Sequence, residues 1–457
     1  MTHDDTRGGL ISDDGSEAVT DWDAQCRWRW PSYLDGWEGR RLEGDATRSG
    51  RRWPWLRTLG SAAFIEWRYF AVLAPAFHGI VGMSLVNPER RFSGVAEGGL
   101  LVIVAAVLEQ GSETNARPGA VFNDARADSP EDVPGAAPTG AAADRPWPEL
   151  CWMHLFEAGA CSFDGPSPGA LSATDSQCTL SLRLSGPGTV RLRLETARGL
   201  ALCLEHRGLS GNALEPVVCR ALDAPLPALL GNHWQVECGA PIARCDGEVR
   251  FARDALEGLA EFPGGTSDSY ATPPLRAALE GGRRSFVWRA ADGYAEHSFG
   301  VRPLLLHGWD FLFCPKWATG DGIVLQTYRG SRRLRYLEVF WRERGGARHH
   351  RFEADQFQLS WPQRTFDPVL GVWRPLRRLI QAQGDGLRLR IDNQVLHRIP
   401  LLRRHRLAVR HFFISEEIGV ADWRLEDADG HCLADVQAQP CGGELAHFRW
   451  RAPLREA

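Results

Sequence analysis

Lysine is all but missing from this chain of 457 residues, occurring once, at Lys316, although Lys and Arg together number 53. Arginine is therefore the default cation, and its abundance alone says little about partners. The formal net charge is only −4, which excludes nucleic acid as the expected main partner. Long apolar runs are missing too. The longest, Gly98 to Leu108, falls far short of the ~20 residues that a membrane-spanning helix needs, and it reads instead as a buried strand. The first residues are acidic, with Asp4, Asp5, Asp13, Asp14, Glu17 and Asp21 against Arg7, and they hold no apolar core, so no signal peptide is expected. The 11 cysteines are odd in number and scattered without a CxxC pair. That excludes a disulfide frame or a zinc knuckle and points to buried thiols in a reducing, cytoplasmic setting. Also missing are a GxGxxG after a strand, a P-loop, a GxSxG elbow and an HExxH helix, so no cofactor or metal is expected. His349 and His350 lack companion ligands at local spacing and read as a surface loop.

What is present is β pattern. Cys178 to Ser185 alternates apolar and polar residues, Gly186-Pro187-Gly188 turns the chain, and Val190 to Glu195 alternates again, which predicts a hairpin. Phe64 to Leu73 and Phe77 to Val86 predict another around Pro75. Leu334 to Trp341, Gly386 to Ile391 and Val395 to Leu401 continue the theme, whereas helical periodicity is scarce and best developed over Gly371 to Gln383. Many short strands with Gly and Pro turns predict two all-β units, sandwiches or barrels, packed together.

Three segments are expected to stand apart from those units. They are an N-terminal arm over 1–50, an insertion over 111–146 and a linker from Glu261 to Pro274. The insertion is rich in Ala, Pro, Gly and Asp and cannot bury enough apolar surface to offset the cost of ordering the chain. The expected division is an N-terminal lobe over 51–265, carrying the insertion, and a C-terminal lobe over 266–457. Tyr328 to His411 holds 19 Arg against 7 Asp or Glu. This excess reads either as outward strand positions written in Arg or as a face for peripheral contact with an anionic inner membrane, where each charge contributes about 1 kcal/mol.

Chemistry concentrates in Gly293-Tyr294-Ala295-Glu296-His297-Ser298-Phe299-Gly300, followed by Trp309-Asp310-Phe311. On a strand, Tyr294 and Glu296 share one face while Ala295 and His297 share the other. If the first face is dry, burial disfavours the carboxylate and keeps the acid protonated near neutral pH, ready to protonate an alkene. The same residues also read as an ordinary edge strand with a solvated Glu and His.

Four ordered pieces over roughly 64–315 resemble the carotenoid 1,2-hydratase family and its relatives, the two-lobed lipocalin-like (calycin-like) proteins that include tocopherol cyclase and some pericyclases. Phe64-Ile65-Glu66-Trp67-Arg68-Tyr69-Phe70 with Phe77-His78-Gly79-Ile80 is similar to the family's "EWWYF…HGL". His233-Trp234-Gln235-Val236-Glu237-Cys238-Gly239-Ala240-Pro241 is similar to "HRWxPxAP", the Gly293 to Gly300 segment to "GYxDxNWG", and Trp309-Asp310-Phe311 to "WxW". The resemblance implies two lipocalin-like β-barrel lobes packed together, with an apolar cavity near their junction and a cofactor-independent enzyme acting on an isoprenoid. Carried over, Glu296 is the acid that protonates a terminal double bond, Tyr294 its neighbour and Trp234 the aromatic facing the developing cation. Trp67, Tyr69, Trp288, Phe299 and Trp309 are the candidate lining residues, with His297 either structural or on a reprotonation route, and Glu66 a buried hydrogen-bond partner.

The chain departs from the family in three places. Glu stands for Asp at 296, Ser298-Phe299 stand for Asn-Trp, and the insertion is foreign. Hydration by captured water, cyclisation by the same acid, and non-catalytic binding of an apolar ligand therefore stay open.

Overall fold

A computed structural model gives residues 64–86, 99–109, 147–163, 170–186, 189–209, 217–220, 233–262, 269–282, 284–301, 308–328, 335–343, 346–367, 372–403 and 410–450. The expected arm over 1–50 and the insertion over 111–146 lie outside these residues.

The first sheet takes the strands β1 (Phe64–Ala74), β2 (Phe77–Val86), β3 (Gly99–Val107), β4 (Glu149–Glu157), β5 (Cys161–Phe163), β6 (Leu171–Thr174) and β7 (Cys178–Gly186). It continues with β8 (Thr189–Thr196), β9 (Leu200–Gly208), β10 (Val217–Arg220), β11 (His233–Phe251), β12 (Tyr270–Ala271) and β13 (Ser285–Val301). Its order is β12-β4-β3-β2-β1-β13-β11-β9-β8-β7-β6-β5, with β10 on β11. The second sheet takes β14 (Gly308–Lys316), β15 (Asp321–Tyr328), β16 (Arg335–Glu343), β17 (Gly346–Phe352) and β18 (Phe357–Asp367). It is completed by β19 (Val372–Gly384), β20 (Leu387–Arg403), β21 (Arg410–Glu426) and β22 (Cys432–Trp450), in the order β17-β16-β15-β14-β22-β21-β20-β19-β18. Both sheets are antiparallel and curled, so the chain is all-β in two lobes, as expected.

Period-2 alternation builds three apolar layers. In β7 and β8, Leu180, Leu182, Leu192 and Leu194 are buried while Arg191 and Arg193 face outward, so the predicted hairpin forms with its leucines inside the first lobe. The even positions Phe70 and Val72 of β1 join that same core. Leu312, Cys314, Ile380, Ile391 and Trp423 form the core of the second lobe. The odd positions of β1 turn the other way. Tyr69, Ala71 and Leu73 meet Tyr294, Phe311, Phe313, Val324, Phe340 and Ile418 in a third layer between the sheets.

The structure corrects four expectations. The sheets part between β13 and β14, not at 265/266, because β13 inserts between β1 and β11 of the first sheet. Val372 to Gln383, in the segment expected to be helical, is not helical but lies in the strand β19. Arg378 occupies an inward position beside Ile380 and Ala382, which disguised the alternation. Gly386 to Ile391 and Val395 to Leu401 are one strand, β20, with a bulge between Val395 and His397. The expected linker is ordered at its far end. Tyr270 is buried, Thr272 Oγ1 donates to the Trp147 carbonyl at 2.7 Å, and a helix, α1, runs over Pro273–Glu280. Thr272 before two prolines is a legible helix start that periodicity alone passes over. Among the described residues no helix is long and apolar enough to cross a membrane.

Polar bonds fasten the lobes. Trp317 N donates to Asp292 Oδ1 at 2.8 Å, Lys316 lies 3.5 Å from the same carboxylate, and His78 Nε2 meets the Cys441 carbonyl at 3.1 Å. Inside the second lobe Arg378 donates to Asp310, Asn393 and Glu417, and Arg398 adds a bond to Glu417 at 2.8 Å. Burial opposes the Arg378 charge, but Asp310 and Glu417 outweigh it and raise its pKa. Part of the Arg excess thus serves internal ion pairing. Arg378→Met is expected to destabilise the protein by about 3–5 kcal/mol, because two carboxylates are left buried without their partner; denaturant titration checks this.

Burial lowers the pKa of His78, and of His206 in the first core, from 6.5 to about 4. Below pH 6.5 the unfolded chain takes up protons that the folded chain refuses, so stability falls as pH drops toward about 4. Each group accounts for up to about 3 kcal/mol of that fall. A melting-temperature series across this range should be visibly flatter for His206→Leu than for wild type.

Candidate active site between the two sheets

Register places the candidate residues in two facing rows. In the first sheet, Ile103, Gly82, Tyr69 and Glu296 are successive cross-strand partners on β3, β2, β1 and β13. In the second, Tyr336, Gln326, Phe311, Glu444, Glu416 and Ile399 are successive partners on β16, β15, β14, β22, β21 and β20. Two hydrogen bonds join the rows. Gln326 Nε2 donates to Glu296 Oε2 at 3.1 Å, and Tyr69 Oη donates to Glu416 Oε2 at 2.7 Å.

Glu296 is half-buried and held by three donors. Tyr294 Oη reaches Oε2 at 2.7 Å, Ser298 Oγ reaches Oε1 at 3.2 Å, and Gln326 is the third. No Arg or Lys of the described residues pairs with it. Burial raises its pKa, while the bonds from Tyr294 and Ser298 and the neighbouring His297 pull the other way and lose. Gln326 Oε1 is buried without a partner. A half-turn of the amide would offer that oxygen to a protonated Glu296, so Gln326 can serve either protonation state.

On one side the rows are sealed by aromatics. Tyr294 stacks on Phe313 with centroids 4.8 Å apart, and Phe311 lies 5.3 Å from both. Gly442 makes room for this, since a Cβ there would sit 2.3 Å from Phe313 Cζ. On the other side the side chains of Trp67, Trp309, Tyr328 and Ile414 are only half-buried, and they line the open end of the gap. The result is a carboxyl group set between two sheets, with aromatic rings packed on one side of it and half-buried tryptophans on the other.

Comparison with known proteins adds only distant likeness. No protein-family model matches the chain, and no curated protein matches it. Among solved structures, kievitone hydratase from Nectria haematococca is similar with a TM-score of 0.43 at 7% identity, covering 85% of this chain and 89% of that one. CghA with Sch210972 is similar with a TM-score of 0.44 at 11% identity, covering 84% and 88%. Neither brings a function to this chain, so the functional reading rests on its own residues.

The structure brings together Glu296, Tyr294, Tyr69, Trp67 and Trp309 from the sequence expectation. His297 points to the opposite face, where Nε2 meets Glu66 Oε1 at 2.7 Å with both residues buried, so Glu66 is a buried partner as anticipated. Trp288 is in the core of the first lobe, 4.8 Å from Phe77, and does not reach the cleft. Trp234 and Phe299 have backbones paired in β11 and β13, next to Gly300 and Gln235; their side chains lie outside the described residues. His349 and His350 are not in a loop but on β17, where His349 bonds Glu338.

Sequence reasoning missed Gln326, Glu416 and Glu444. Of these Glu416 carried a signal, an acid set within the largely apolar stretch Phe412 to Val420. Among the described residues the one grouping of possible metal donors is the turn Asp427, Asp429 and His431, where the Asp427 carboxylate accepts from the backbone N–H groups of Asp429 and His431 and meets the His431 imidazole. Tyr294→Phe keeps the ring stack and removes a donor that favours the Glu296 carboxylate, so the pKa of Glu296 should rise further. Carboxyl ¹³C NMR of labelled Glu across a pH series reads this directly.

Proposed function

We propose that this chain is a cofactor-independent isoprenoid enzyme that hydrates a terminal carbon–carbon double bond, with Glu296 as general acid. The observation that carries this reading is Glu296 itself, a carboxyl whose burial raises its pKa, without a cationic partner among the described residues, beside an aromatic layer between the sheets. The acid proton passes to the terminal alkene carbon and leaves a tertiary cation, which water captures. After transfer, Tyr294, Ser298 and Gln326 stabilise the carboxylate. The faces of Trp67 and Trp309, and of Trp234 by the family resemblance, can each stabilise the cation by about 2 kcal/mol once it is desolvated.

Cyclisation is the second reading. The seal of Tyr294, Phe311 and Phe313 excludes water behind the acid, where a folded substrate could trap its own cation. The two reactions differ in the mass of the product. Purified protein given an acyclic carotenoid or shorter prenyl chains in D₂O should yield a product heavier by one heavy water. An isomer would mean cyclisation, and no product with any substrate would leave an apolar-ligand binder. In Glu296→Gln, turnover should fall at least ~10²-fold in a protein that still folds, a general acid typically being worth that much. Because the protonated form is active, wild-type turnover should decline as pH rises through the elevated Glu296 pKa. Wild-type turnover in a folded Glu296→Gln variant would remove Glu296 as the acid.

A further inference from the structure

Ion pairs inside the second lobe absorb only part of the arginine excess, and an exposed aromatic pair stands beside the remainder. Phe366 on β18 and Trp373 on β19 are register partners, 48% and 47% exposed, with ring centroids 5.4 Å apart. Arg364 leaves the same face of β18, and its guanidinium lies 4.7 Å from the centre of the Trp373 ring. The strands carry this group clear of the sheet. Among the described residues β19 pairs with β20 only from Arg377 onward, so Val372 to Pro375 pair with β18 alone. The root of this two-stranded arm is fixed. Trp361 Nε1 donates to Asp310 Oδ2 at 3.1 Å, Arg378 donates to the same carboxylate, and Arg398 donates to the Pro375 carbonyl. Asp310 is the third residue of β14, next to Trp309. The arm therefore runs on past the open end of the gap between the sheets, where Trp67, Trp309, Tyr328 and Ile414 are half-buried. Two arginine-rich connections leave from the same side. β15 ends at Tyr328 and β16 begins at Arg335, while β20 ends at Arg403 and β21 begins at Arg410. The six residues between each pair of ends hold five Arg in all and no Asp or Glu. So short a tether keeps their charge within about 20 Å of the strand ends. Against these cations the arm carries one acid, Asp367.

We propose that this end of the second lobe docks on an anionic phospholipid bilayer. Phe366 and Trp373 enter the boundary between headgroups and acyl chains, and the arginines around them meet lipid phosphates. The chemistry matches on both counts. Aromatic side chains favour the membrane interface, where the ring is buried while water stays close. Guanidinium groups bind phosphate through paired N–H donors, and they do so best where many phosphates lie together. A second copy of the chain could cover the two rings, but it would bring the same arginines to face their like. Charge complementarity therefore selects the lipid surface. Docked in this way, the arm sets the half-buried tryptophans at the open end of the gap against the bilayer, and an apolar substrate enters without crossing water. That delivery role rests on the isoprenoid reading of the site; the docking does not.

Sedimentation of the full chain with vesicles tests the docking without any turnover. The vesicles are phosphatidylcholine alone or an equal mixture with phosphatidylglycerol, at low and at high salt. The chain should bind the mixed vesicles, bind phosphatidylcholine weakly, and be released by salt. Phe366→Thr and Trp373→Thr, which keep a strand-forming residue in place, should each weaken binding about tenfold, half of a large side chain being at stake. Arg364→Gln should weaken it about fivefold. All three side chains are exposed, so melting temperatures should match wild type. Failure of the wild-type chain to bind mixed vesicles overturns the proposal, as does full binding by the Phe366→Thr, Trp373→Thr double variant. A dimer that Trp373→Thr dissociates, seen without vesicle binding, would assign the pair to a second copy instead. Delivery is read from turnover with the substrate held in mixed vesicles. There the double variant should be about 10²-fold slower, while in detergent it should equal wild type. Equal turnover in both settings would remove the delivery role. Glu296→Gln should bind vesicles as wild type does, so loss of the Glu296 reading would leave the docking standing.

Discussion

The architecture depends on one constraint, that carboxyl groups placed between two packed β-sheets must find hydrogen-bond donors within the gap, part of them from the opposite sheet. Water is largely excluded there, and an unmet carboxyl costs far more than one in solvent. Gln326 reaches Glu296 from the second sheet, and Tyr69 reaches Glu416 from the first. The exchange is reciprocal, each lobe giving one donor to an acid of the other, beside the donors Tyr294 and Ser298 that Glu296 finds on its own strand. Sliding the sheets past each other would break both cross-gap bonds at once. A one-residue slip of β1 would instead put Glu66 and Arg68 into the gap and Tyr69 into the first core. The same two bonds that lock the lobes therefore also define the site.

Strand alternation separates two kinds of buried acid with opposite electrostatics. Glu416 and Glu417 are neighbours in sequence and face opposite sides of β21. Burial pushes Glu417 up, but Arg378 and Arg398 outweigh it and hold the carboxyl below its usual range. Among the described residues no cation is bonded to Glu416, and burial, then the charge of Glu444, drives it the other way. On the face that carries Tyr336, Glu338 is in turn paired with Arg351 and His349 on β17.

How much of this was legible is plain from particular residues. Glu296 and Tyr294 are two positions apart on a strand, so their common face, and the opposite face for His297, followed from the repeat alone. The β7–β8 hairpin and the buried β3 were equally readable. Arg378 defeated the pattern in β19, since an inward Arg looks like a polar face until its partners Asp310 and Glu417 are known. The lobe boundary was misplaced because β13 follows a Gly- and Pro-rich stretch yet returns to pair with β1, and no local signal announces such a pairing.

The sequence by itself determined the all-β class, several of the strands, and a Tyr–Glu pair sharing one face, because these depend on neighbours within a few residues. Only the tertiary structure decided that this face meets a second sheet, that Gln326 completes the hold on Glu296, and that Tyr69 bonds an acid 347 positions away. The reason is physical. A carboxyl's protonation state depends on desolvation and on the charges around it, and both are set by which chain segments pack together, not by the order in which they are joined.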